Sequence, residues 1–221
     1  MLKRILEPEV MLSRRDALEY VAIDHSAVNA ALAGHLARAL NFRGGSMADL
    51  GTGPADLAVA VCRRIKGISV TAVELAPAML DLAAGNVLRS GLDGRIRLLR
   101  ADAKKTGLPS GAFDLVACYN LVHHIPDPAK LFREATRLCR QGGGIFIQDL
   151  RRPDTIKELD SLMSCCSGDT PRQRGLLRRS FRAALRVEEV LSCAKRAGLT
   201  GFTLTLEGPR HWRLERPVAK H

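Results

Sequence analysis

The feature that most constrains this chain is the stretch Met47-Ala48-Asp49-Leu50-Gly51-Thr52-Gly53-Pro54-Ala55-Asp56, which runs from an apolar strand through a two-glycine turn into a helix. It places a carboxylate, Asp49, at the strand's end. After one helix's worth of residues, Val70-Thr71-Ala72-Val73-Glu74 repeats the strand pattern and again ends in an acid. In a strand-turn-helix unit, glycines let the backbone approach a ligand, and a carboxylate about 20 residues on accepts hydrogen bonds from both ribose hydroxyls. Gly51 and Glu74 stand in about that relation. Glycine pairs also serve plain tight turns, so it is the second acid that makes this a nucleotide-cofactor turn.

The alternation continues along the chain. Residues 8 to 41 are helical by spacing, with Leu18, Val21, Val28, Leu32, Leu36 and Leu40 in register and a break with a new N-cap at Asp24-His25-Ser26. Strands are expected at Ser46–Leu50, Ser69–Glu74, Arg95–Arg100, Phe113–Tyr119 and Ile145–Asp149. Helices are expected at Asp56–Ile65, from Pro77 to a stop at Gly91, and from Pro128 to Arg140, with Gly142-Gly143-Gly144 leading into the fifth strand. Residues 151 to 184 carry short helical patterns broken at Pro153, Gly168 and Pro171, which suits a lid over the strand ends. Val187–Ala197 resumes as a helix, and Phe202–Leu206 with His211–Leu214 reads as an edge hairpin around Gly208-Pro209. The pattern predicts an α/β chain: a doubly wound parallel sheet that binds ligands at the carboxyl ends of its strands. Four segments follow: an N-terminal helical lid (1–45), a cofactor-binding core (46–150), a substrate-side helical insertion (151–184) and a C-terminal helix and hairpin (185–221).

At 221 residues, 46% hydrophobic and 26% charged, the chain suits one large domain with a buried core. No apolar run reaches the roughly 18 residues needed to span a bilayer and no signal-peptide core is seen, so the expectation is a cytoplasmic protein without membrane insertion. The six cysteines (Cys62, Cys118, Cys139, Cys165, Cys166, Cys193) form no Cys-x-x-Cys pair and read as free, buried thiols, with no metal site expected. The net charge of +11 concentrates in Arg172, Arg174, Arg178, Arg179, Arg182 and Arg186, and again in Arg210, Arg213, Arg216 and Lys220. Such a surface either is a solvated helix face or attracts an anionic substrate, a membrane surface or nucleic acid. Only Phe181 and Trp212 accompany these arginines, which disfavours stacking on bases.

A dinucleotide turn carries a third glycine where its helix meets a pyrophosphate; this chain has Ala55 or Asp56 there. Asp56 is an awkward neighbour for a phosphate at a helix N-terminus. A cofactor with ribose and adenine but no phosphate meets no such conflict, and S-adenosylmethionine is one. Four separated segments resemble the class I S-adenosylmethionine-dependent methyltransferases, particularly the small-molecule group that includes ubiquinone and menaquinone methyltransferases. They are Asp49–Gly53, Val73–Leu80, Ala101-Asp102-Ala103 with Leu108-Pro109, and Phe113–Val116 running on to His123-His124-Ile125-Pro126-Asp127-Pro128. The resemblance implies a Rossmann-like seven-stranded sheet with its last strand antiparallel. It implies that backbone at Gly51, Thr52 and Gly53 lies beside the methionine part, with Asp49 holding the ammonium. Glu74 takes the ribose hydroxyls, Leu75 and Met79 pack on adenine, Asp102 and the Ala103 amide meet the ring's polar edge, and Tyr119 and Asn120 line the reacting end. Ala55 departs from the family's third glycine. Tyr20 is either part of the lid over substrate or an amphipathic helix edge.

Methyl transfer from a sulfonium needs alignment and exclusion of water more than covalent machinery. His123 and His124 are suitable by type as a base or as substrate-orienting groups, and adjacent residues on a turn point about 100° apart, so one of them faces the cleft. The alternative is a histidine that packs on the sheet and caps the turn. Arg151 and Arg152 pair either with a substrate carboxylate or phosphate or with acids of the protein itself. The expected activity is methyl transfer to a small, anionic acceptor, giving S-adenosylhomocysteine. Other readings are a non-catalytic cofactor-binding regulator or assembly partner, an RNA or protein methyltransferase using the basic 172–186 segment, and a nicotinamide-dependent oxidoreductase. A homodimer stays open.

Overall fold

The computed structural model describes residues 1–8, 17–18, 21, 25–38, 40–164 and 170–219. Among these, seven strands form one sheet: β1 (Gly45–Leu50), β2 (Ile68–Glu74), β3 (Ile96–Arg100), β4 (Phe113–Tyr119), β5 (Cys139–Leu150), β6 (Thr203–Glu207) and β7 (His211–Arg216), in the order β3-β2-β1-β4-β5-β7-β6. The first five are parallel, and β7 runs antiparallel to both β5 and β6. The expected hairpin thus closes the sheet with its last strand reversed. Between β3 and β4 the chain returns to the other side of β1, so the loops after β1 and β4 diverge and leave a crevice there.

Helices cover both faces because the central strands are apolar on both. α1 (Ser26–Arg38), α2 (Asp56–Arg64) and α3 (Pro77–Arg89) bury Leu36, Val61 and Ala83 against Met47, Val70 and Phe146 on one face. α4 (Pro128–Leu138) and α7 (Val187–Arg196) pack Leu131, Phe132 and Val190 against Val116, Ile147 and Trp212 on the other. Buried side chains of this size each contribute about 1.5–3 kcal/mol. The insertion forms α5 (Ile156–Ser164) and α6 (Pro171–Ala183), whose small core of Leu159, Leu162 and Phe181 rests on Leu150 at the end of β5. Pro171, read from sequence as a break, is the first residue of α6, and Thr170 and Gln173 form a reciprocal capping box there.

The arginines of α6 are less free than their sequence run suggests. Arg178 pairs with Asp160 of α5 at 2.7 Å and Arg186 with Asp154 at 3.0 Å, acids supplied from outside the run. Cys62, Cys118, Cys139 and Cys193 are free and buried. Cys165, Cys166, Tyr20 and Lys220 lie outside the described residues.

One element departs from expectation. The helix before β5 stops at Leu138, and β5 begins at Cys139 and runs straight through the three glycines. A register shift in the β4–β5 ladder between Phe113 and Leu115 accommodates the change. Gly143 explains why glycine serves inside a strand here: a Cβ would meet the Cys139 sulfur at 2.7 Å and the backbone oxygens of Arg140 and Asp114 at 3.0 Å. Gly143→Ala is therefore expected to destabilise the fold by about 1–3 kcal/mol, read as a fall of several degrees in Tm. An unchanged Tm would mean that this strand pairing yields at no cost.

Candidate functional site

The crevice between the β1 and β4 loops is an open cleft with about 1100 Å³ of empty space. Most of the residues singled out from sequence meet in it: Asp49, Gly51, Thr52, Gly53, Glu74, Leu75, Met79, Asp102, Ala103, Tyr119, Asn120 and His124 all line its wall. Three carboxylates stand at or just past the carboxyl ends of three successive strands.

The turn after β1 is built from backbone bonds to β2. Gly51 and Thr52 both donate their N–H groups to the Val73 carbonyl at 2.9 Å, and Gly53 donates to Glu74 Oε2 at 3.0 Å. Glu74 Oε1 accepts from the Leu75 and Ala76 amides at 2.9 Å. Gly51 sits at φ +72°, and a Cβ there would come within 2.6 Å of the Leu121 side chain from the loop after β4. Ala55, at φ +64°, occupies the left-handed region that glycine enters without penalty. That is the physical content of the missing third glycine.

Asp49 is fully buried and accepts a 2.6 Å hydrogen bond from the Thr52 hydroxyl. Burial, reinforced by the nearby Glu74 charge, raises its pKa to about 6 despite that bond. A cation beside it would reverse the shift. Asp102 accepts from the Lys104 amide at 2.8 Å and faces the Lys104 ammonium at 2.9 Å. Asn120 holds a left-handed backbone at φ +53° at the end of β4, and its side-chain oxygen is buried without a hydrogen-bond partner. Tyr119 stacks on His211, and burial raises the pKa of its hydroxyl.

The two histidines differ in exposure to the cleft, although their ring centroids lie 4.2 Å apart. Both lie on a 3-10 turn, Val122–His124. His123 is buried away from the cleft: its Nδ1 is 2.6 Å from Asp149 Oδ1, and its amide donates to Asp149 Oδ2 at 3.2 Å. Burial opposes protonation of His123, yet the Asp149 charge and hydrogen bond outweigh it and raise the pKa; the same pairing lowers that of Asp149 against its own desolvation. His124 lines the cleft, and burial, with repulsion from His123, lowers its pKa to about 3. It is neutral at any ordinary pH.

The two arginines after β5 are engaged within the protein. Arg151 pairs with Glu158. Arg152 is 2% exposed and bound to Glu189 Oε1 at 2.6 Å and to the Ala184 carbonyl at 2.8 Å. Neither lines the cleft; of the two alternatives, the structure shows both engaged with acids of the protein itself, Arg151 with α5 and Arg152 with α7. The cleft also contains residues to which sequence reasoning gave no role in the site: His25 and Asn29 from α1's start, Leu121 and Ile125. His25 was visible only as part of a helix break. Glu7, distant in sequence, packs against both His123 and His124.

Residues 48–147 match the family model of the methyltransferase domain. The ubiquinone biosynthesis O-methyltransferase of Stutzerimonas stutzeri is 32% identical over 113 residues, 51% of this chain and 47% of that protein. The chain thus spans about half the length of the curated relatives it matches. Among solved structures, a Methanococcus maripaludis protein assigned as an S-adenosyl-L-methionine-dependent methyltransferase superposes with a TM-score of 0.75 at 18% identity, covering 100% of this chain and 99% of that one. Geranyl diphosphate C-methyltransferase from Streptomyces coelicolor, crystallised with Mg2+, geranyl diphosphate and S-adenosyl-L-homocysteine, gives 0.65 at 15% identity, covering 86% and 79%. At such identities the likeness to solved structures is one of fold. Residues 48–147 thus carry a methyltransferase domain, and the chain as a whole resembles the class I S-adenosylmethionine-dependent methyltransferases in fold, with an acid-lined cleft at the β1–β4 switch.

Proposed function

We propose that this protein transfers the methyl group of S-adenosylmethionine to an oxygen of a small molecule that enters beside Tyr119, Asn120 and His124. The observation that carries the reading is the placement of Asp49, Glu74 and Asp102 around one cleft at the ends of adjacent strands. The residues suit the cofactor. A buried carboxylate with a raised pKa is stabilised by the cofactor's ammonium; Glu74 can accept from ribose hydroxyls; Asp102 offers an acceptor for an exocyclic amine; and Gly53 leaves the wall open, since a Cβ there would meet nothing within 4 Å. When bound, the cofactor supplies an activated methyl group on a sulfonium. The protein's part is to align the acceptor and to exclude water.

The choice of oxygen rests on relatives named as O-methyltransferases. With Arg151 and Arg152 committed to ion pairs, an anionic acceptor loses the guanidiniums that the sequence offered it. His124, neutral and at the cleft wall, presents an uncharged ring edge to the acceptor.

Glu74→Gln is the informative substitution, because it keeps the side chain's size while removing the charge that accepts both ribose hydroxyls. Hydrogen bonds to charged groups are worth about 1.5–3 kcal/mol, so affinity for S-adenosylhomocysteine, measured by calorimetry, is expected to fall about 10- to 100-fold, with a smaller fall in Tm because one side-chain oxygen still accepts from the backbone. Unaltered affinity, or tighter binding of a nicotinamide dinucleotide by the native protein, would overturn the proposal.

The pH dependence follows from Asp49. Its folded-state pKa lies above the ordinary carboxylate value, so its contribution to stability is fully present below pH 3.8 and is lost as pH rises through about 6. Binding an ammonium group favours the ionised form and offsets that loss. Affinity for S-adenosylhomocysteine should therefore rise between pH 5 and 7 and level off above, and Asp49→Asn should bind weakly with a flat profile. A flat profile in the native protein would remove Asp49 from the ammonium site.

A further inference from the structure

Glu7, His123 and His124 bring three metal-binding side chains to one point. Their ligand atoms all lie within 4.8 Å of one another. Glu7 Oε1 is 3.5 Å from His123 Nε2 and 3.3 Å from His124 Nδ1. Charge-assisted hydrogen bonds close to about 2.7–2.9 Å, so neither contact is a well-made one. Bonds of about 2.0–2.2 Å at tetrahedral angles put two ligands of one ion about 3.4 Å apart, which is the spacing of Glu7 from each histidine.

Two further observations point to a ligand. The His124 Nδ1 atom is buried and makes no hydrogen bond. His123 is oriented from behind: its Nδ1 lies 2.6 Å from the Asp149 carboxylate, which also accepts from the His123 and Leu150 amides. When neutral, a histidine that gives its one ring N–H to a buried carboxylate presents the other nitrogen as a bare lone pair, and a metal ion there takes the place of the second proton, the outer-shell arrangement found behind metal-ligating imidazoles. Here that nitrogen is Nε2, the one facing Glu7. The Glu7 carboxylate is held in turn by the Ser180 hydroxyl at 3.1 Å.

We propose that Glu7, His123 and His124 form a site for a divalent transition-metal ion of the Zn2+ class, behind the wall of the cofactor cleft. Two imidazoles and one carboxylate are the donor set of three-ligand zinc sites that keep an open position. The surrounding charge selects the ion. Arg4 acts on His123 and Arg179 on Glu7, opposing the Glu7 and Asp149 carboxylates. A hard ion held by charge alone gains little in that field, whereas an ion that bonds strongly to imidazole does not depend on it. Of the three ligands only His124 reaches the cleft, so the site lies directly behind the wall along which an acceptor oxygen would approach. A Lewis-acid role toward that oxygen rests on the methyl-transfer reading; occupancy of the site does not.

The test uses the full chain, stripped with a chelator and titrated with Zn2+ by calorimetry and with Co2+ by visible absorption. The expected result is uptake of about one equivalent, with tetrahedral Co2+ bands. Glu7→Gln and His124→Asn should each weaken uptake at least tenfold, while His35→Ala, at a histidine remote from the site, leaves it intact. Circular dichroism and Tm establish that each variant is folded, and S-adenosylhomocysteine binding, measured separately, reports on the cofactor site. Overturning results are no uptake by the native chain at micromolar Zn2+, or uptake that persists in both folded variants, which would assign the metal to the cysteines or to another surface group.

Discussion

Three consecutive amides of the turn after β1, those of Gly51, Thr52 and Gly53, end on two neighbouring residues of β2, the Val73 carbonyl and the Glu74 carboxylate. The site depends on this tether. It ties the turn to a strand held by parallel ladders on both sides. The Glu74 carboxylate is simultaneously fixed by the Leu75 and Ala76 amides that lead into α3. A group that accepts from three backbone donors has little freedom to reorient, so the acid we propose for a ribose is oriented before any ligand arrives. The cost is an exchange on binding. A ribose hydroxyl approaching Oε2 competes with the Gly53 amide, and the turn must yield slightly to admit it.

A second carboxylate organises the opposite wall. Asp149, buried at the end of β5, accepts from the His123 amide, the His123 ring and the Leu150 amide. A buried charge is tolerated only when it is paired and fully hydrogen-bonded, and here that requirement pins the loop after β4 against β5. The N-terminal segment completes the arrangement. Arg4 donates to the carbonyls of Ile125 at 2.9 Å and Ala183 at 2.6 Å, satisfying oxygens at the ends of the 3-10 turn and of α6. The insertion and the cleft wall are thereby joined through residues 1–8.

The elements legible in the sequence were those with a local cause. Phe113–Tyr119 is apolar on both faces and could only be a central strand; Pro77 and Pro128 start helices because their missing N–H groups cost nothing there. The residues that meet in the cleft could be read because most sit at or just past the end of a strand. Illegible were the features that depend on partners far along the chain. Gly142-Gly143-Gly144 looked like a loop, since nothing local reveals that β4 passes too close for any side chain. Arg151 and Arg152 looked available because their partners, Glu158 and Glu189, come from α5 and α7. Only one histidine was expected to face the cleft, but which one follows from Asp149, and the approach of Glu7 from the N-terminus had no signal in sequence.

The turn's departure from a three-glycine pattern also acquires a physical sense. Ala55 keeps the left-handed backbone and buries its methyl group completely, so the strain of about 1–2 kcal/mol is offset in part by about 0.8 kcal/mol of apolar burial. The next residue, Asp56, lines the cleft at the first turn of α2, held by the Asn86 amide at 2.7 Å. A helix N-terminus ordinarily attracts phosphate. With a carboxylate fixed there, a pyrophosphate about 4 Å away would meet a repulsion of about 1–4 kcal/mol per charge pair across the range from water to a protein surface, enough to cancel the helix's contribution. The same carboxylate favours a ligand that is neutral or cationic at this end. A cleft walled by Asp49, Asp56, Glu74 and Asp102 is thus electrostatically matched to a nucleoside bearing positive charges and mismatched to a dinucleotide.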